Sequence, residues 1–314
     1  FILIVVTIVV FTPTLRNGFT NWDDPELILK NDAIKGLTGP HLQAIFTNSY
    51  GGFGGYTPLV LLGYAVEYEI FGLNPKAFHF DNLVLHVANT LLIYALLALI
   101  GGDIWIGFIA ALLFGVHPLH VEAVAWIQGR KDLLFSFFLI AAAICYQLFL
   151  RRTKRPSGWY VLSLTLFGAA LFSKVAAISF PLVALLLESR ERPPFDRRTL
   201  RRLAPFFGLA AAFLVLAFLT MRSGAYGIPT AKVPMTYLQN LGQFFYAFVF
   251  YLAKIVLPVR LFARYPLVTS PGPLAPGLSI AVFAAACAGL YFYSRRDKET
   301  VRFGVTFFLS LIHI

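Results

Sequence analysis

The chain alternates between long apolar runs and short charged clusters, and this alternation restricts its fold more than any other feature. A helix needs about 20 mostly apolar residues to cross the hydrocarbon core of a bilayer. The runs that approach this length are Phe1–Phe11, Phe78–Ile100, Ile104–Val116, Leu133–Leu150, Trp159–Leu171, Ala176–Leu187, Leu203–Met221, Leu238–Pro258, Leu278–Tyr293 and Phe303–Ile314. Several are short, so their neighbours are expected to add a turn, or one end is expected to be buried in protein. Of the 314 residues, 58% are hydrophobic and 13% charged. A soluble domain has about 45–50% and 25%, and no single soluble core would hide this much apolar surface. The expectation is an all-α polytopic membrane protein with about nine spans.

A net charge of +11 would suggest nucleic acid as a partner in a soluble protein. Here the cations sit between apolar runs, which is the signature of membrane topology, so no nucleic-acid partner is expected. One cluster is Arg151, Arg152, Lys154 and Arg155. A second is Arg190, Arg192, Arg197, Arg198, Arg201 and Arg202, and a third is Arg295, Arg296 and Lys298. The positive-inside rule puts all three in the cytoplasm. The first outer loop is then 14–77, and a late outer segment covers 222–276. Three apolar runs lie between the second and third clusters, and three crossings cannot return to one side. The run expected not to span is Leu238–Pro258, which carries Gln239, Gln243 and Lys254 and suits an interfacial position. Otherwise the third cluster is an exception to the rule.

Cys145 and Cys287 both lie inside apolar runs, so no disulfide framework is expected. No N-x-Ser/Thr sequon occurs, which favours a bacterial inner membrane over an endoplasmic reticulum membrane. The chain opens at Phe1 without Met and stops inside an apolar run at Ile314. It is therefore expected to be a fragment, organised as one transmembrane domain over 1–314 with truncated ends.

Outward-facing acids gather at Asn21-Trp22-Asp23-Asp24-Pro25-Glu26. Adjacent carboxylates repel, so at least one pKa should rise unless a cation neutralises the pair. Such a carboxylate can take a proton from an attacking hydroxyl. Asp24-Pro25 equally reads as a helix N-cap followed by proline at the first helical position. A second group is His117-Pro118-Leu119-His120-Val121-Glu122, followed by Gln128-Gly129-Arg130-Lys131-Asp132, where Gly129 is expected to break the helix. These residues suit either a site at the membrane surface or the capping of helix ends. Lys174 and Arg222 are outward cations that suit a phosphate, or simple snorkelling to lipid head groups. His79, Asn82, His86 and Asn89 recur at helical spacing and are assigned to helix packing. Asp23, Asp24, His117 or Glu122 are candidate ligands for a divalent metal.

The chain resembles the GT-C superfamily of multi-spanning glycosyltransferases, closest to the branch of transmembrane-and-TPR O-mannosyltransferases and their bacterial relatives. The resemblance is carried in order by Asn17-Gly18-Phe19 with Trp22-Asp23-Asp24, Tyr56-Thr57-Pro58-Leu59, Phe71-Gly72-Leu73-Asn74-Pro75 with Phe78-His79, His117 to Val124, Gly129 to Leu134, and Phe172-Ser173-Lys174. It covers roughly the first 190 residues. Two positions depart from the pattern: Thr57 stands where many relatives have Arg, and Val175 where many have Glu.

The resemblance implies a GT-C helical bundle with membrane-lying helices in the first outer loop, in particular over Leu59–Phe71. It implies an inverting transferase that moves sugar from a polyprenyl-phosphate donor to an acceptor hydroxyl on a protein, lipid or glycan. Carried over, Asp23 is the base and Asp24 its partner. The donor phosphate and substrate fall to Arg130, Lys174, Arg222, His117, His120, Glu122 and Asp132. The competing readings are a lipid or solute transporter, whose repeats and midplane charges are not visible here, and a non-catalytic scaffold.

Overall fold

The computed structural model describes residues 1–47, 55–101, 103–151, 156–191, 196–223, 237–262 and 274–294. Every element among them is helical: α1 (Ile2–Phe11), α2 (Gly39–Thr47), α3 (Pro58–Phe71), α4 (Pro75–Ile100), α5 (Ile104–Val116), α6 (Val121–Ala125), α7 (Arg130–Leu150), α8 (Pro156–Ser173), α9 (Phe180–Glu191), α10 (Arg197–Ser223), α11 (Tyr237–Val256) and α12 (Leu274–Ser294). The chain divides into two compact units, one holding α1–α10 and the other α11 and α12.

Local chemistry sets these boundaries. Asn74 caps α4 by accepting from the Lys76 N–H at 3.1 Å, with Pro75 at the first helical position. The same helix ends on Gly101, whose φ of 96° is left-handed and costs glycine nothing. Asp103 caps α5 by accepting from the Trp105 N–H at 2.7 Å. Pro118 forces His117 out of the helical region, so the apolar run bends by 46° between Ile104–Val116 and Pro118–Ala125.

Among the described residues, three or four helices meet the length and apolarity that a span needs. Pro75–Ile100, Ile127–Leu150 and Arg197–Thr220 are long and apolar enough to cross a membrane, and the bent pair adds a fourth if it counts as one span. Ile2–Arg16, Ser157–Ser173 and Gln243–Val256 are shorter apolar helices. The expected span Ala176–Leu187 is not one helix, because a 3-10 turn at Val175–Ser179 precedes α9. The last expected span, Phe303–Ile314, lies outside the described residues, as do 224–236 and 263–273 of the late outer segment.

In the first unit α4 packs against α1, α5 and α7, and α7 packs against α8 and α9. The polar stripe of α4 does what the spacing predicts. His79, Asn82, His86 and Asn89 are fully buried, and each meets a backbone carbonyl of a neighbour. Asn82 Nδ2 donates to Trp126 O at 3.0 Å and Asn89 Nδ2 to Leu133 O at 2.9 Å. His86 Nε2 lies 3.1 Å from Gly115 O, and His79 Nε2 lies 3.4 Å from Gly18 O. At Gly115 a Cβ would sit 2.7 Å from Thr7 Oγ1 on α1, so glycine there permits close approach of α1, α4 and α5.

The first outer loop has its own core. A π-helical turn at Pro25–Leu29, a 3-10 turn at Asp32–Ile34, α2 and α3 bury Leu27, Ile28, Ile34, Ile45, Val60, Leu61 and Tyr64 against Phe78 and Ile127. Full burial of each large aliphatic contributes about 1.5–3 kcal/mol. This is enough to make the loop a compact cap rather than a tether. The expected helix over Leu59–Phe71 is α3. In the second unit Phe245 and Phe248 of α11 both pack edge-on against Phe283 of α12.

Candidate functional site

The cap holds residues 17–24 against the junction of α6 and α7. Asp24 fixes this contact. Its carboxylate is fully buried. Oδ2 accepts from Thr20 N at 2.7 Å and from Thr20 Oγ1 at 3.0 Å, and Oδ1 accepts from Trp126 Nε1 at 3.1 Å. Asp24 does stand at the N-cap position of the Pro25–Leu29 turn, but its side chain makes no capping bond there. The capping reading is thus right in position and wrong in chemistry, because Trp126 and Thr20 engage both oxygens.

Asp23 is placed differently. It is half-buried, and no described donor reaches its carboxylate. Burial raises its pKa above the usual carboxylate range, the Lys131 ammonium opposes this, and the Asp24 charge adds to it. Lys131 also lies 5.5 Å above the Trp126 ring, and Trp22 meets Trp126 edge-on at 5.8 Å. Trp22 remains 52% exposed. Asp23 is thus a part-exposed carboxylate next to Trp22 in sequence and under the influence of the Lys131 cation, which itself sits over Trp126.

The other residues singled out from the sequence divide into three groups. Arg130 is only 1% exposed and saturated by protein. Its Nη1 meets Glu67 Oε2 at 2.5 Å and Asp81 Oδ2 at 3.1 Å, its Nε donates to Asn82 Oδ1 at 2.9 Å, and its Nη2 donates to Phe78 O at 2.7 Å. Its guanidinium also stacks over Tyr64 at 4.9 Å. This arrangement ties α3 to α4 and α7, and it leaves no guanidinium nitrogen free for a phosphate. Lys174 forms an ion pair with Asp132 across the start of α7 and the end of α8. Both are part-exposed, so a ligand can reach them.

His117 Nδ1 accepts from Leu119 N at 3.2 Å, and His120 Nδ1 donates to Phe114 O at 2.8 Å. These histidines end α5, and His120 packs its ring on Phe114 and His86. Glu122 is exposed on α6. The Arg222 side chain lies outside the described residues.

Gly129 does not break the helix where the sequence suggests. The break is at Trp126, which is extended, and Ile127–Gly129 then winds as a 3-10 turn into α7. Gly129 is needed for a different reason: a Cβ there would stand 2.4 Å from Ala123 O.

Sequence reading missed Trp126, Glu67 and Asp81, and placed Lys131 in its cluster without a role of its own. Lys131 was hidden beside Arg130. Glu67 did carry a signal, as an acid placed three residues after Tyr64 within an apolar helical run. Among the described residues no group of three His, Cys, Asp or Glu side chains converges. Asp24 and His117 also use their acceptor atoms internally. As placed, Asp23, Asp24, His117 and Glu122 do not form a ligand cluster among the described residues.

The family model described as dolichyl-phosphate-mannose-protein mannosyltransferase matches residues 57–221, more than half of the chain. The match takes in Arg130, Lys131, Asp132 and Lys174 but begins after Asp23. Protein O-mannosyl-transferase Tmtc2 of Drosophila melanogaster is 31% identical over 80% of this chain and 28% of its own length. Protein O-mannosyl-transferase TMTC1 of Mus musculus is 36% identical over 43% of this chain and 15% of its own length. TMTC2 of Homo sapiens is 41% identical over 29% of this chain and 11% of its own length. The chain thus spans 28% or less of the length of these relatives. No solved structure matches it. With its apolar helices and a family match over more than half its length, the chain is an integral membrane protein that belongs to the dolichyl-phosphate-mannose-protein mannosyltransferase family.

Proposed function

We propose that this chain is the membrane-embedded catalytic part of a glycosyltransferase. It moves a mannose-like sugar from a polyprenyl-phosphate donor to an acceptor hydroxyl on the non-cytoplasmic face, with inversion. The observation that carries this reading is the contrast between the two adjacent carboxylates. Asp24 is fully hydrogen-bonded and holds the loop. Asp23 is half-buried, without a donor, and its pKa is raised by burial. A base works best when its pKa lies close to the operating pH, so the raised value suits proton abstraction better than an ordinary aspartate would.

In the step itself the acceptor oxygen attacks the anomeric carbon and passes its proton to Asp23. The bond from that carbon to the phosphate oxygen breaks, and polyprenyl phosphate leaves with the bonding pair. Phosphate is a good leaving group, so nearby cations suffice to stabilise it and no general acid is required. Lys131, which acts on Asp23, and Lys174, paired with Asp132 at the start of α7, are the cations we assign to this role. Arg130 acts as a positioning residue through Glu67 and Asp81. Trp22 and Trp126 offer flat faces against which a sugar ring can pack.

The test is transfer or slow hydrolysis of radiolabelled polyprenyl-phosphate mannose by the purified chain in lipid, wild type beside Asp23→Asn. Loss of about 100-fold or more in turnover is expected on removing the base. Full activity in a folded Asp23→Asn protein would exclude Asp23. No release by folded wild type, from this or other polyprenyl-phosphate sugars, would exclude the reading as a whole.

A further inference from the structure

The far end of the first unit carries a second polar cluster that the proposed reaction does not use. Helix α7 runs from Arg130 to Leu150, about 32 Å at 1.5 Å per residue, so its last turn lies a bilayer thickness away from Asp23. Helix α8 returns from that end, and α10 begins there. Between them is a cleft of about 430 Å³ lined by Phe149, Ser157, Tyr160, Arg201 and Arg202.

The walls of this cleft are fixed. Tyr160 OH donates to Arg202 O at 2.7 Å, and the Tyr160 ring packs on Phe149 at 5.1 Å. The Arg202 guanidinium stacks over Phe149 at 5.2 Å. Its Nη1 meets the fully buried Glu188 carboxylate at 3.3 Å, and Glu188 also accepts from Tyr146 OH at 3.0 Å. Glu188 therefore orients Arg202 through one nitrogen and leaves its Nε and Nη2 donors unused. Arg201 is exposed and has no partner among the described residues. One buried carboxylate thus pairs with Arg202 alone, and with Arg201 unpaired the cleft keeps a net positive charge. Ser157, at the first turn of α8, adds a hydroxyl and the positive end of an 18-residue helix.

We infer that this cleft binds the phosphate of an anionic phospholipid head group in the leaflet opposite the catalytic site. Planar guanidinium groups match phosphate oxygens in pairs, and Arg is the side chain suited to this contact. Tyr160, an apolar ring with a polar tip, suits the level of the head groups. Val161 and Leu162 on α8 and Phe207 on α10 are exposed just beyond the cleft, where acyl chains would run. That apolar continuation favours a lipid over a soluble phosphate. The inference does not depend on the proposed transfer reaction.

Native mass spectrometry of the purified chain in an uncharged detergent tests it, with short-chain phosphatidylglycerol, short-chain phosphatidylcholine and inorganic phosphate as probes. Wild type should bind phosphatidylglycerol more tightly than phosphatidylcholine. Arg201→Gln, which leaves the Arg202–Glu188 pair intact, should weaken phosphatidylglycerol about tenfold, the worth of a charge-assisted contact. Arg151→Gln, at the same end but outside the cleft, should leave binding within about twofold of wild type, as expected of an exposed charge. Equal weakening by both variants would mean a diffuse field and overturn the site. No effect of Arg201→Gln would do the same. Inorganic phosphate binding as tightly as the lipid, and as dependent on Arg201, would replace the lipid with a soluble phosphate.

Discussion

At the scale of single residues, the two aspartates show how one local environment sets adjacent side chains to different tasks. The buried Asp24 carboxylate accepts three hydrogen bonds, from Thr20 N, Thr20 Oγ1 and Trp126 Nε1. Asp24→Ala would strand the Trp126 indole and the Thr20 amide. It should lower the stability of the cap by about 2–4 kcal/mol, read as an earlier thermal aggregation midpoint in detergent. Asp23 instead titrates under the influence of Lys131. A base must be deprotonated, so activity should fall as pH drops through its pKa. Lys131 holds that pKa down against burial. Lys131→Met should therefore move the acid limb of the kcat/KM profile to higher pH, while a change in KM alone would assign Lys131 to binding. The acidic pair was legible in the sequence, as was the expectation that one pKa would rise. Which carboxylate stays free was not legible, because the decision rests on Trp126, 102 residues further along.

At the scale of elements, the junction of α6 and α7 is held by one buried cation and one missing side chain. Removing one partner of a buried ion pair leaves the other charged and desolvated, at a cost of about 3–5 kcal/mol. Arg130→Met should show this cost, since Glu67 then stays buried beside α4. The double variant Arg130→Met/Glu67→Leu should regain much of it, and a double variant no better than the single would disprove the pairing as the cause. Gly129→Ala should destabilise the chain, because its Cβ would lie 2.4 Å from a backbone oxygen that cannot move alone. The helix breaks at His117-Pro118 and the caps Asn74 and Asp103 follow from local rules and could be read from the sequence. The Trp126 break could not, since no proline or left-handed glycine marks it and the contact between Gly129 and Ala123 sets it. The stripe of His79, Asn82, His86 and Asn89 was legible as packing because helical spacing alone puts it on one face.

At the scale of the whole molecule, apolar runs identify a membrane protein but not the number of its crossings. Run length measures hydrophobicity, whereas a span also needs an unbroken helix. The Val175–Ser179 turn before α9 separates the two. The direction of α7 is a firmer quantity, since it carries Lys131 and Asp132 at its start and Arg151 just past its end, while α10 starts with Arg197, Arg198, Arg201 and Arg202. On the proposed reading, the positive-inside rule predicts Asp23 and the Arg201 cleft on opposite sides of the membrane, with the cleft in the cytoplasm. Two exposed positions report this. Lys30 lies on the cap beside the acidic pair, and Asp196 lies just before α10. In a chain with Cys145 and Cys287 replaced, a membrane-impermeant maleimide should label Asp196→Cys from the cytoplasmic side alone and Lys30→Cys from the other side alone. Labelling of both from one side would mean that the two ends share a compartment, and the separation argued from the length of α7 would fail. Labelling in the reverse sense would keep the separation but move Asp23 into the cytoplasm, and a lipid-linked donor would then have to present its sugar there.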